Sequence, residues 1–253
     1  TERFSVLLRT SSLTAWWFLA LSVLLWMGVV LIGYSTPLAS ERLRRFFLLL
    51  LSGIGALSLA GSGHLLVAVV AWQLVCLPLT LASAQIKPAV GAARSLVSVF
   101  LADFFSFVLM TMGIAFLFAQ YQTLSYDLLF ESLQAESQNS DILVYSGTAL
   151  WLAGILVRLG GVPFHMVTCE RMQSGNLAVS GFATVFLALS AGAFAWGFAG
   201  EVLRPTLAQW QDFLSLLGLA TVWAGSLGML VRPQWRNLIA YSLVAQAGWV
   251  LLM

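Results

Sequence analysis

The sequence predicts an all-α polytopic membrane protein with about eight transmembrane helices, one of them broken around Gly160–Pro163. Three observations carry this. Of 253 residues, 60% are hydrophobic and only 9% are charged. Mean hydropathy is +0.93, a balance that a water-soluble globular domain does not need. The third is the stretch WLAGILVRLGGVPFHMVTCE, Trp151 to Glu170. There an apolar helix acquires an arginine, a glycine pair, a proline and a histidine in quick succession.

Uncharged runs place the spans at about 13–34, 45–61, 64–84, 95–119, 145–168, 176–199, 210–231 and 236–253. Residues 46–86 carry no formal charge and are too long for one crossing at ~1.5 Å per residue against a ~30 Å core. Gly61-Ser62-Gly63 is the expected turn between two helices there. Residues 127–144 are the one long polar loop, with Asp127, Glu131, Glu136 and Asp141, and Leu133 to Ser140 reads as a short surface helix or a disordered segment.

Eight spans sort the charges between two sides. One side holds Arg42, Arg44, Arg45, Lys87, Arg94, Arg171, Arg232 and Arg236 against Glu41 and Glu170. The other holds Arg3, Arg9 and Arg204 against Glu2, Asp127, Glu131, Glu136, Asp141, Glu201 and Asp212. The excess of bases puts the first side in the cytoplasm or matrix and the N-terminus opposite, on the periplasmic or intermembrane-space side. Adding or losing one helix would scramble the segregation.

Polar groups at membrane depth mark where chemistry could sit. Two charged side chains fall well inside the spans: Asp103 in the fourth and Arg158 in the fifth. They are expected to face one polar interior and to pair. Arginine stays protonated, so Arg158 serves as a fixed charge and not as a relay member. His165 is the intramembrane group whose intrinsic pKa suits proton exchange; a hydrogen-bonded structural histidine is the alternative. Gln73 needs a partner but cannot carry a proton, and Pro78 can kink its helix. Tyr241, Ser242 and Gln246 form a polar stripe on the last span that suits interhelical hydrogen bonds. Gly160, Gly161 and Pro163 soften and interrupt the fifth span. His64 falls at a span start and reads as interfacial. The tryptophans suit interfaces and packing. Cys76 and Cys169, lone and far apart, read as packing residues with no disulfide or zinc pattern. No dinucleotide, phosphate-loop, haem or iron–sulfur pattern occurs, and no basic stripe for nucleic acid.

RLGGVPFHMVTCERMQSGNLAVSGF and WRNLIAYSLVAQAGWVLL, residues 158–182 and 235–252, together resemble the antiporter-like membrane subunits of respiratory complex I. HLLVAVVAWQLVCLPL and LMTMGIAFLFAQYQTLSYDLL resemble the intervening segments. The order and spacing fit the branch called subunit 2 in mitochondrial NADH dehydrogenase and subunit N in bacteria, from about residue 45 onward. The resemblance implies an antiporter-like fold in a single transmembrane domain, truncated and divergent. Most of a first inverted repeat would occupy about 45–200, and the start of a second about 205–253. It implies a non-catalytic subunit of a proton-translocating NADH:ubiquinone oxidoreductase, in the mitochondrial inner membrane or a bacterial cytoplasmic membrane. Its partners would be the other membrane-arm subunits, lipids and a separate chain supplying the remaining C-terminal helices. NADH, flavin, iron–sulfur centres and quinone would belong to other subunits, with no cofactor and no metal held in this chain. A related cation/proton antiporter, membrane-bound hydrogenase or carbon-uptake complex, or a purely structural assembly subunit, are the alternatives.

The departures from the family pattern bear on mechanism. Where the resemblance expects a glutamate on the third span, Gln73 stands. Where it expects lysine on the broken helix, Arg158 stands. A second lysine would align near Ala188 or Leu189, the W-x-P-D run is Val167-Thr168-Cys169-Glu170, and the later histidine is Gln246. The scaffold is kept while the proton carriers are replaced, so the expectation is a proton path that is impaired, or rerouted through His165 and Asp103.

Overall fold

The structure, a computed structural model, describes residues 12–36, 38–85, 90–135, 142–201, 207–231 and 234–252. Ten helices follow one another along these residues: α1 (Ser12–Ser35), α2 (Ala39–Ala60), α3 (Leu65–Ser83), α4 (Val90–Tyr121), α5 (Tyr126–Ala135), α6 (Ile142–Leu159), α7 (Met166–Gln173), α8 (Leu177–Glu201), α9 (Leu207–Val231) and α10 (Trp235–Leu252). The eight long ones fall on the eight expected spans. Seven of them, α1 to α4, α6, α8 and α9, are long and apolar enough to cross a membrane. The eighth expected span is α10, with 18 residues; Arg236, Asn237, Tyr241, Ser242 and Gln246 dilute its apolar character.

Local chemistry explains the boundaries. Gly61 caps α2, and Gly63 carries the chain on, its carbonyl accepting from Tyr126 N–H at 3.0 Å. This expected turn pairs with the segment before α5 through an isolated bridge between His64 and Ser125. The short helix in the long polar loop begins earlier than expected, at Tyr126. Tyr126, Leu129 and Leu133 are buried at helical spacing, and that apolar seam, not the charges of the loop, decides where it winds. Residues 136–140, the rest of that expected segment, lie outside the described residues. With 32 residues, α4 is about 48 Å long at 1.5 Å per residue, longer than a typical apolar core.

The core lies between α3, α6 and α8. Trp72 and Trp151 are fully buried and meet Phe194, at 4.8 and 6.1 Å between ring centroids. These two tryptophans are packing residues, whereas Trp16, Trp26 and Trp223 stand exposed on outer faces that are suited to lipid. Small residues let backbones touch: a Cβ on Gly113 of α4 would lie 2.7 Å from the carbonyl oxygen of Gly147 on α6. Helix α9 packs chiefly on α10, and α10 docks this hairpin onto α7 and α8.

The break is real. The N–H of Gly161 donates to Leu156 O at 3.0 Å and that of Gly160 to Val157 O at 3.4 Å, with Gly160 at φ +69°. This crossed pair of bonds, with glycine in the left-handed conformation, is the Schellman way of ending a helix. The Val162–Pro163 peptide is cis. Val162 N–H, freed by the interruption, donates to Thr221 Oγ1 on α9 at 3.0 Å. Backbone groups released inside an apolar fold thus find protein partners, as membrane depth requires. The chain then rewinds as the short helix α7.

Candidate functional site

Arg158 occupies the last turn of α6, where the exposed carbonyl ends of the helix favour a cation. It is only 5% exposed. Its Nε donates to Ser106 Oγ at 2.8 Å, and Nη2 donates to Gln73 Oε1 at 2.9 Å and to the backbone carbonyl of Asp103 at 3.3 Å. Nη1 donates to Cys76 Sγ. The guanidinium carbon lies 5.7 Å from the Trp72 ring centroid, within reach of a cation–π attraction. Every acceptor around Arg158 is formally neutral: a hydroxyl, a carboxamide oxygen, a thiol and a main-chain carbonyl.

Beside it the Asp103 carboxylate is 4% exposed. Oδ1 accepts from Arg171 Nη2 at 2.8 Å, and Oδ2 accepts from Thr80 Oγ1 at 3.1 Å. Arg171 Nη1 also donates to Thr80 Oγ1, at 3.4 Å. The cluster therefore joins α3, α4, α6 and α7 and holds two guanidinium groups against one carboxylate.

Gln73, Asp103 and Arg158 share one polar interior. The expected Asp103–Arg158 ion pair is corrected: Arg158 reaches the main-chain oxygen of Asp103, while its carboxylate faces Arg171. The geometric reason is that the Arg158 fork is already filled by Ser106, Gln73 and Cys76. Arg171, expected among the bases of a loop, is buried at 4% exposure. It sits on α7, which folds back into the protein instead of running along the surface. Ser106, Thr80 and Cys76 complete the site without a sequence signal, because small polar side chains cost little in an apolar run and leave no mark in hydropathy. Cys76, read as packing, is instead an acceptor in the cluster.

The other expected residues lie apart from this network. His165 immediately precedes α7, with its ring centroid 6.5 Å from that of Tyr241 on α10. Its Nδ1 is buried and has no hydrogen-bond partner among the described residues, and none of the Arg158 cluster's hydrogen bonds reaches it. Of the polar stripe on α10, Tyr241 turns inward, Ser242 donates to Ile239 O of its own helix at 2.8 Å, and Gln246 is exposed. The stripe is thus no continuous interhelical seam. Leu189, near where the resemblance expects a second lysine, packs against the core. His64 is half-buried at the start of α3, with Nδ1 accepting from Leu66 N–H at 3.3 Å.

The family described as NADH:quinone oxidoreductase/Mrp antiporter, TM, matches residues 62–253, which include every residue of this cluster. NADH-quinone oxidoreductase subunit N of Laribacter hongkongensis is 26% identical over 82% of this chain and 42% of its own length. Subunit N 3 of Streptomyces griseus is 30% identical over 81% of this chain and 39% of its own length. The chain thus spans less than half of either relative. Among solved structures, a chain of respiratory complex I from Thermus thermophilus superposes with a TM-score of 0.75 at 21% identity, covering 92% of this chain and 49% of that one. A chain of the Mrp complex from Dietzia gives 0.77 at 19% identity, covering 96% and 45%. These likenesses establish the fold.

Proposed function

Because the chain belongs to the NADH:quinone oxidoreductase/Mrp antiporter transmembrane family, we propose that it is a membrane-arm subunit of an NADH:quinone oxidoreductase. In this reading it serves mainly as scaffold, and its proton path is impaired at Arg158. The subunit-N names of its relatives support the assignment, and the other membrane-arm subunits are its partners. The two relatives named above are bacterial, which supports a bacterial cytoplasmic membrane over the mitochondrial inner membrane. The charge segregation supports an N-terminus on the periplasmic side.

One observation carries the impaired path: the position at the heart of the broken helix is a guanidinium held by Gln73, Ser106, Cys76 and a main-chain carbonyl. A relay group must release and regain a proton near neutral pH. A guanidinium does not, and a carboxamide has none to give. The Asp103 carboxylate is occupied by Arg171 and Thr80. Residual traffic, in this reading, is rerouted by way of His165, whose Nδ1 is buried apart from the Arg158 cluster.

The test is proton translocation per NADH oxidised by the assembled complex in sealed vesicles. Gln73→Glu with Arg158→Lys is expected to raise it above wild type by reinstalling an exchangeable pair. No gain in a fully assembled complex would remove the argument for an impaired site. Mass spectrometry of the subunits that co-purify separates this reading from a related antiporter or hydrogenase assembly.

A further inference from the structure

The α9–α10 hairpin meets the rest of the chain through few elements, and α7 is prominent among them. The contacts there are polar and specific. Arg236 Nη1, at the start of α10, donates to Gly175 O at 2.9 Å and to Met172 O at 3.3 Å. Met172 O belongs to the last turn of α7 and Gly175 O follows just beyond its end, so a cation there meets both their lone pairs and the negative end of the helix. Gln173 Nε2 donates to Asn237 Oδ1 at 3.1 Å, and Asn237 is 5% exposed. Cys169 and Met172 of α7 close a small apolar cluster with Ala240 and Tyr241 of α10. From the other side α7 is held by Arg171, through Asp103 and Thr80.

An eight-residue helix cannot be stable by itself. Its position is fixed by what grips it, and here it is gripped from two sides. We propose that Arg236 and Asn237 are positioning residues for the buried cluster. They hold α7 in register, so that Arg171 meets Asp103, and they make α7 the strut through which the cluster and the α9–α10 hairpin sense one another. The coupling must run both ways, because a free energy shared between two sites is reciprocal. It goes beyond the scaffold reading and stands whether or not protons move.

Amide hydrogen exchange of the assembled complex reads it directly. Asp103→Asn, which touches nothing on α10, is expected to speed exchange roughly threefold or more in residues 166–175 and also in residues 235–247, leaving residues 49–56 of α2 at wild-type rates. Arg236→Gln is expected to do the same from the other side, and Arg236→Lys to restore wild-type rates, since lysine still offers a cation to the α7 carbonyls. Where Asp103→Asn prevents assembly, Thr80→Val removes one hydrogen bond from the same carboxylate and gives a smaller rise in the same two regions. Faster exchange in α7 with α10 unchanged would overturn the proposal, and so would an equal rise in α2.

Discussion

Asp103 Oδ1 lies 2.8 Å from Arg171 Nη2, and the backbone carbonyl of Asp103 accepts from Arg158 Nη2 at 3.3 Å. One residue of α4 thereby holds both halves of the broken helix, α6 and α7 each by its last turn. A helix interrupted at membrane depth has loose ends, and this is the tie across the gap.

Removing half of that tie should be costly. Asp103→Asn leaves the Arg171 charge buried without compensation, and breaking one partner of such a pair costs about 3–5 kcal/mol. Replacing both, as Asp103→Leu with Arg171→Met, removes the stranded charge and should cost less than the single change. Denaturant unfolding of the purified protein in micelles measures both. A single variant as stable as the double would mean that water already reaches the pair.

The α4–α6 contact gives a steric prediction. A Cβ on Gly113 would lie 2.7 Å from Gly147 O and 2.9 Å from Trp151 N, both main-chain atoms that cannot turn aside. Gly113→Ala should therefore cost about 1–3 kcal/mol by forcing the helices apart. On the same helix a Cβ at Gly91 would meet nothing within 4 Å, so Gly91→Ala should be neutral or stabilising by less than about 1 kcal/mol. Unfolding of the two variants side by side separates close approach from helix propensity.

Hydropathy shows where the long helices run, because each needs an apolar length. Gly160 to Pro163 shows the break, because those residue types are expensive in a helix. Gln73, Asp103 and Arg158 stand out for the same reason. What hydropathy cannot show is partnership. Whether Asp103 meets Arg158 or Arg171 depends on how far α4 is rotated and on the direction the chain takes after Pro163, and neither is encoded in spacing. Arg171 in particular looks like an ordinary loop base until α7 is seen to fold inward.

His64 offers a pH test outside the spans. Its neutral Nδ1 accepts from Leu66 N–H and caps α3, and burial lowers its pKa from the usual histidine value. The folded state therefore favours the neutral ring. The contribution of the cap is complete above the unfolded-state pKa, near 6.5, and is lost as pH falls through the lower folded-state value. Exchange at the Leu66 amide, corrected for intrinsic rate, should rise on acidification below about pH 6.5. His64→Asn, which caps without titrating, should abolish that rise. A pH-independent Leu66 amide in the wild type would show that the ring does not hold it.

Gly160 is the position where the break itself can be tested. At φ +69° a residue with a Cβ costs about 1–2 kcal/mol from the backbone alone, and here the added carbon would also run into Thr168 Oγ1 on α7. Gly160→Ala should thus destabilise by more than the backbone cost, while Gly160→Ala with Thr168→Ala, which clears the hydroxyl, should recover part of the loss and leave the backbone term. Because Arg158 is two residues upstream, a shifted helix end would also slacken its bonds to Gln73 and Ser106. Unfolding midpoints of the single and double variants, read beside protease sensitivity at residues 160–165, measure both consequences. Wild-type stability in Gly160→Ala would mean that α6 can end without the left-handed turn, and the geometry that carries Arg158 into the cluster would need another cause.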